Sequence, residues 1–451
     1  MRTPLAVLAS LALLSGPVRA ASLEALSREA ASGFNIAAEL PVGALRPLPQ
    51  PPIAGAAVGP RGVQPRFSPG AGVDAQILKR LDGVRRSADI AMYSFSHASL
   101  VARVKALAKE GRKVRLVLND ANKNSEAAKA FEDAGVDVRY VTPVMHHKFA
   151  ILDGPQVPGD DPSKAVLLTG SGNWSASSAR AFDEDFLDFE GEAALVRAFQ
   201  AEFNLLWSRS RDFPGKVRHQ DTAAMEPADA PVLFTSANME ARETSGGWTF
   251  SPKVAAEDGV AGRSIVAAMD GAGKRIRIAS AHFRRKDFYA ALVRALERGV
   301  RVDMLLDQQE YNGPAAKNPA DPEHLDELLG RAGADVRYKT YSRVWKHQTA
   351  KQMHAKYLIA DDRLVLTGSF NWSDNAELRT MDNLLRLSGP EAASYVEHHS
   401  RIFDYGRGTL DELLGAVKGQ KGRGPCDFQP MSLSADEMRR LRASYSWDAC
   451  R

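Results

Sequence analysis

The sequence predicts an α/β protein built of two pseudo-symmetric lobes, each a sheet between helical layers (α-β-α), with one site at the interface between them. Three observations carry this expectation. A short group of residues is written twice: His146, Lys148 and Asp153 ahead of Gly170, Ser171, Asn173, Trp174 and Ser175, then His354, Lys356 and Asp361 ahead of Gly368, Ser369, Asn371, Trp372 and Ser373. The flanks repeat too, since Gly299 follows Gly111 by 188 positions, Asn371 follows Asn173 by 198, and Ala134 to Tyr140 is echoed by Ala332 to Tyr338. Phe67-Ser68-Pro69 and Phe250-Ser251-Pro252 make a further matched pair, taken as the start of each half. Finally, both halves alternate strand and helix patterns, as expected of a largely buried sheet with helices on its faces.

Taken in order, residues 1–20 place Arg2 before the apolar run Leu5 to Leu14, with Val18-Arg19-Ala20 at the cleavage positions. This reads as a secretory signal peptide. The run is too short to span a bilayer, and no later stretch of about 20 uncharged apolar residues follows. An exported protein, periplasmic or secreted, with no integral membrane segment in the mature chain is therefore expected, and a monomer. Residues 21–66 are rich in Pro and Ala and form an extended lead-in.

The first domain is assigned to 67–215. Its pattern gives a helix over 73–86, a strand over 90–94, a helix over 98–109, a strand over 114–118, a helix over 125–134, and strands over 136–141 and 148–152. A ten-residue excess between Asp153 and Thr169, rich in Gly and Pro, reads as a surface loop. A linker is placed at 216–249 and the second domain at 250–407. That domain repeats the order with a strand over 276–279, a helix over 287–298, a strand over 300–306, a helix over 322–331, and strands over 334–339 and 356–359. A tail occupies 408–451, with a helix over 434–445 between Cys426 and Cys450. An even cysteine count in an exported chain favours a disulfide here. Closing such a loop would constrain the unfolded chain by roughly 3 kcal/mol.

Composition narrows the function less than the motifs do. Hydrophobic residues make up 44% of the chain, enough for two sizeable cores. A formal net charge of +4 is too mild to single out nucleic acid as the ligand. Neither cysteine has a histidine or the other cysteine beside it, His398-His399 has no cysteine or clustered carboxylates nearby, and no metal is expected.

The chemistry lies in spacing. His146 and Lys148, like His354 and Lys356, are two apart at the start of a strand, so each pair faces one side of its sheet. Ser171 with Asn173, and Ser369 with Asn371, are also two apart, behind glycines that permit close backbone approach. Two lysines, two asparagines and the serine hydroxyls of Ser171 and Ser369 can meet the oxygens of one phosphodiester, where losing one preorganised donor costs about 3 kcal/mol. Two histidines fit the proton traffic, one attacking phosphorus while the other donates to the leaving oxygen.

With these residues in view, both halves resemble the phospholipase D superfamily, whose mark is this repeated His-x-Lys-x4-Asp motif. The resemblance covers about 67–404 and implies two phospholipase D-like lobes, a phosphohistidine intermediate, and no cofactor or metal. It implies His146 as nucleophile and His354 as general acid. It also implies an acidic residue eleven positions after each motif asparagine, Glu184 and Asp382, orienting the histidine of its site. Asp153 and Asp361 are implied to be structural.

Other residues invite blander readings. His147 faces away from its neighbour's side and is expected to pack or be solvated, Trp174 and Trp372 to pack in the core, and His398-His399 to be an exposed helical feature. The segment 341–351, with Tyr341, Trp345, Lys346, His347 and Lys351, is a candidate substrate rim. The lipid reading is a phospholipase D acting on glycerophospholipid head groups at a membrane surface, in the branch that contains cardiolipin hydrolases. The alternative is an exported endonuclease cleaving DNA or RNA, although Arg284-Arg285-Lys286 and Lys274-Arg275 are short and scattered for a nucleic-acid groove. A non-catalytic module would be expected to have lost part of one motif, and both are complete.

Overall fold

A computed structural model of the chain describes residues 63–444, apart from 64, 123–124, 143, 157–159, 214, 216, 218–224, 226–227, 246, 313–324, 343–350 and 418–426. The expected signal peptide, most of the lead-in, and both Cys426 and Cys450 lie outside the described residues.

Nine strands of the first half are β1 (Arg66–Ser68), β2 (Ser87–Met92), β3 (Lys113–Asn119), β4 (Asp137–Val141), β5 (Val144–Met145), β6 (Lys148–Leu152), β7 (Val166–Gly170), β8 (Glu184–Glu190) and β9 (Arg211–Asp212). All but β5 form one sheet in the order β1-β8-β7-β6-β2-β3-β4-β9. The trio β2, β3 and β4 is parallel because helices Ala98–Lys109 and Glu126–Glu132 cross over between its strands, whereas β6, β7 and β8 form an antiparallel meander. The continuous burial of β2 suits a strand covered on both faces.

The second half contributes β10 (Val232–Phe234), a hairpin of β11 (Met239–Thr244) and β12 (Gly247–Pro252), then β13 (Arg275–Ser280), β14 (Arg301–Asp307), β15 (Asp335–Ser342), β16 (Lys356–Ala360), β17 (Leu364–Gly368), β18 (Thr380–Met381), β19 (Asn383–Ser388) and β20 (Asp427–Ser434). Its sheet runs β10-β19-β17-β16-β13-β14-β15-β20, which repeats the first order strand for strand. The second sheet therefore draws an edge strand from residues expected to be linker and another from the expected tail. The helix after β20 is Ala435–Ala443, opened by Ser434 in a capping box with Glu437.

Strand pairing corrects one proposed equivalence. Phe67 lies in β1, opposite Asp185 of β8, whereas Phe250 lies in the β11–β12 hairpin. The true counterpart of Phe67 is Phe234, whose strand β10 pairs with β19 as β1 pairs with β8. Packing agrees, because each ring crosses to the other lobe: Phe67 sits edge-on to Tyr395 at 5.0 Å and Phe234 to Phe199 at 5.1 Å. The shared tripeptide was coincidental, and the hairpin is an insertion of the second half.

The cores explain why the lobes form one body. Outer helices bury Val73, Ile77 and Leu81 or Leu100, Val104 and Leu107 at helical spacing against one sheet, and a matching set covers the outer face of the other. Between the sheets lie helices Ala193–Ser208 and Pro390–Phe403, and one apolar cluster runs from Phe149 and Phe199 of the first half to Tyr357 and Tyr395 of the second. His398 and His399 belong to this central helix and are buried, not exposed. Aromatic packing replaces hydration there: His398 stacks on Phe67 at 3.9 Å, and burial drives His398 down to about 2 and His399 to about 3, so both are neutral. The root of the excess loop is also packed, with Gly154, Pro155 and Pro162 buried.

Candidate active site

Each motif histidine is placed by a strand from its own half and by a backbone contact from the other. The amide of His146 donates to the carbonyl of Met381 at 2.9 Å, and that of His354 donates to the carbonyl of Asp183, also at 2.9 Å. Short parallel bridges accompany these bonds, β5 with β18 and Asp183 with Met353. The lobes are thereby stitched together one residue ahead of each histidine.

The carboxylates cross between lobes. His146 Nδ1 meets Asp382 Oδ1 at 2.7 Å and His354 Nδ1 meets Glu184 Oε1 at 2.7 Å. The family resemblance implied both acids, and each meets the histidine of the opposite half. A carboxylate accepting at Nδ1 leaves Nε2 of a neutral ring as the lone-pair nitrogen. Both acids are fully buried, while the His146 and His354 side chains keep 10% and 18% of their surface accessible.

Ser171 and Ser369 require a correction. Expected to hold substrate oxygens, their buried hydroxyls instead donate to Glu184 Oε2 and to Asp382 Oδ1, each at 2.7 Å, and accept from the amides of Asp185 and Asn383. Acceptors of a carboxylate pair outcompete a transient ligand, so these serines position the acids. Ser178 adds a bond to Glu184 and Thr380 one to Asp382, two supports that no spacing rule flagged. Gly170 and Gly368, at φ 137° and 141°, are required: a Cβ at either would overlap the carbonyl of Asp185 or Asn383.

Lys148 and Lys356 are buried beside the histidines, each ammonium donating to the carbonyl of its own motif histidine, at 2.5 Å for Lys148. Burial lowers Lys148 to about 7 and lowers Lys356 too, each opposed by the acids. Burial also pulls both histidines down to about 4; Lys148 reinforces the shift at His146, where Asp382 opposes it, while at His354 Glu184 opposes and Lys356 reinforces. Each histidine also feels the lysine of the other half. Asp382 sits at about 2 because His146 and Lys148 outweigh the upward push of its burial.

Asn173 and Asn371 are half-buried, and Asn173 Oδ1 accepts from the amide of Ser94 at 3.2 Å. Asp153 and Asp361 do not join them. Asp153 gathers the amides of Arg85, Arg86 and Ser87, and Asp361 those of Gly273, Lys274 and Arg275, so each ties the turn entering β2 or β13. His147 is buried between Glu202, at 3.0 Å, and Asn383, and Trp174 and Trp372 pack against Phe95 and Phe288. Of the expected rim, Tyr341 is buried with its hydroxyl on the carbonyl of Gln352, Lys351 is exposed, and 343–350 lie outside the described residues.

The model of the family described as cardiolipin synthase, PLD-like domain, matches residues 77–207 and 265–403, one stretch in each lobe. Mitochondrial cardiolipin hydrolases of Xenopus laevis and Homo sapiens are 30% and 31% identical to the chain over 137 and 158 residues, covering 30% and 33% of it and 60% and 58% of their own length. The match thus spans less than two thirds of these relatives. In fold, the chain is similar to a polyphosphate kinase from Porphyromonas gingivalis, with a TM-score of 0.51, 14% identity, and coverage of 84% of this chain and 49% of that one. A phosphatidylserine synthase from Haemophilus influenzae Rd KW20 gives 0.51 and 14%, over 75% of this chain and 85% of its own.

Proposed function

Since the chain belongs to the cardiolipin synthase, PLD-like domain family, we propose that it is a phospholipase D-type phosphodiesterase that hydrolyses glycerophospholipids to phosphatidic acid and a free head group. The observation that carries this reading is the crossed pair of histidine–carboxylate dyads, each with a buried lysine beside it.

In the reaction, Nε2 of His146 attacks phosphorus, the P–N bond forms, and the bond to the head-group oxygen breaks as His354 gives it a proton. His354, now neutral, takes a proton from water, whose oxygen displaces His146 and releases phosphatidic acid. Lys148, Lys356, Asn173 and Asn371 meet the charge that builds on the phosphoryl oxygens. With the site empty both histidines are neutral at pH 7, and the arriving anion favours the protonated His354 that the first step needs. The enzyme acts at a membrane surface after export directed by residues 1–20.

The test is release of free head group from mixed phospholipid vesicles with excess EDTA, run beside digestion of single-stranded DNA at equal protein concentration. Head-group release alone supports the proposal. DNA cleavage alone replaces it with an exported nuclease using the same two histidines.

A further inference from the structure

The two halves differ at the mouth of the site. In the antiparallel ladder of β13 and β16, Ser280 pairs with Lys356; His282 follows Ser280 by two residues, as His354 precedes Lys356 by two. In the first half Met92 pairs with Lys148, and Ser94 and His146 hold the positions that correspond to His282 and His354. Arg284 is fixed nearby, its amide donating to the carbonyl of Trp372, the neighbour of Asn371, at 3.0 Å.

Glu310 binds these two side chains into a unit. Its side chain is 3% exposed, yet His282 Nδ1 meets Oε2 at 3.0 Å and Arg284 forks onto both oxygens at 3.0 and 3.1 Å. His282 and Arg284 themselves remain 29% and 37% exposed. A buried carboxylate that holds a guanidinium and an imidazole at a rim fixes the orientation of their outward edges. At the corresponding positions the first half has the uncharged Ser94, Ser96 and Asn122. The His354 side of the rim therefore carries the charged donor Arg284 where the first half has Ser96.

We propose that His282 and Arg284, braced by Glu310, form a subsite for a second phosphate carried by the departing alcohol. This rests on the phosphodiesterase reading, in which His354 protonates that alcohol. It makes an anionic, phosphate-bearing head group the preferred leaving group over a neutral or zwitterionic one.

The test separates the subsite from the activity. Propane-1,3-diol bisphosphate and its monophosphate are titrated into the full chain by calorimetry, neither being a diester that the enzyme can turn over. Wild type is expected to bind the bisphosphate roughly tenfold more tightly, the scale of one charge-assisted contact. In Arg284→Gln, and in His282→Asn should the first variant fail to fold, the ratio should fall to near one. A wild-type ratio near one, or a variant that loses affinity for both ligands equally, overturns the subsite. An intact ratio with no head-group release from vesicles would instead overturn the activity and leave the subsite standing.

Discussion

The crossing of the carboxylates predicts which variants should resemble one another. Replacing Glu184 by Gln keeps the shape but removes the charge that His354 meets at 2.7 Å in a fully buried setting. A hydrogen bond to a charged group contributes about 1.5–3 kcal/mol, which is roughly a 10- to 150-fold loss of rate at about 1.4 kcal/mol per decade. Gln also offers its own donor to Nδ1, so the tautomer with a lone pair on Nε2 is no longer enforced. The assay is pre-steady-state release of nitrophenolate from a nitrophenyl phosphodiester, compared with head-group release from vesicles. An activated leaving group needs no acid, so His354→Asn should spare the burst far more than it spares lipid turnover, and His146→Asn should abolish both. Glu184→Gln should follow the His354→Asn profile and Asp382→Asn the His146→Asn profile. The reasoning is refuted if the profiles match within halves, with Glu184→Gln behaving like His146→Asn.

With both histidines at about 4 and Lys148 at about 7 in the empty site, a bound anion raises all three, so tungstate binding at pH 6.5 should take up about one proton; calorimetry in buffers of different ionisation enthalpy reads this, and zero uptake contradicts the electrostatics. Gly170→Ala combines a φ of 137° with a clash against the carbonyl of Asp185 and should cost about 2–5 kcal/mol, seen as a lower denaturant midpoint. His398 is depressed to about 2 from 6.5, so the unfolded chain takes up a proton below pH 6.5 that the native state refuses, and stability falls as the pH falls. His398→Gln should flatten that slope by at most about 1.4 kcal/mol per pH unit, measured by urea unfolding between pH 7 and 4.

What was legible in the sequence was whatever depends on local spacing. His-x-Lys at a strand start marked the site, and the family resemblance, which implies an acid eleven positions past each motif asparagine, put Glu184 and Asp382 among the site residues before any fold was known. Which histidine each acid serves was not legible, because the bridges β5–β18 and Asp183–Met353 decide it, and those are contacts between lobes. Ser171 and Ser369 were misread for a related reason: a hydroxyl two residues from an asparagine looks like an anion ligand until the buried acid claiming it is seen. Phe250 was paired with Phe67 on a tripeptide, whereas strand register selects Phe234. The burial of His398 follows from a helix covered on both sides, which helical periodicity alone does not reveal. Glu310 joined no motif; its only sequence signal is that it stands 188 positions after Asn122, where a charge has replaced an amide.

The exchange of Glu184 and Asp382 between lobes also bears on descent. A protein with a single copy of this unit would carry a histidine on one chain and that histidine's orienting acid on another, so it could work only as a pair of identical molecules. Fusion of two such copies removes the dependence on concentration, and it frees each copy to drift from its twin. Chemistry at the mouth, with Ser94 on one side and His282 on the other, is a change that a symmetric pair of identical chains could not have made.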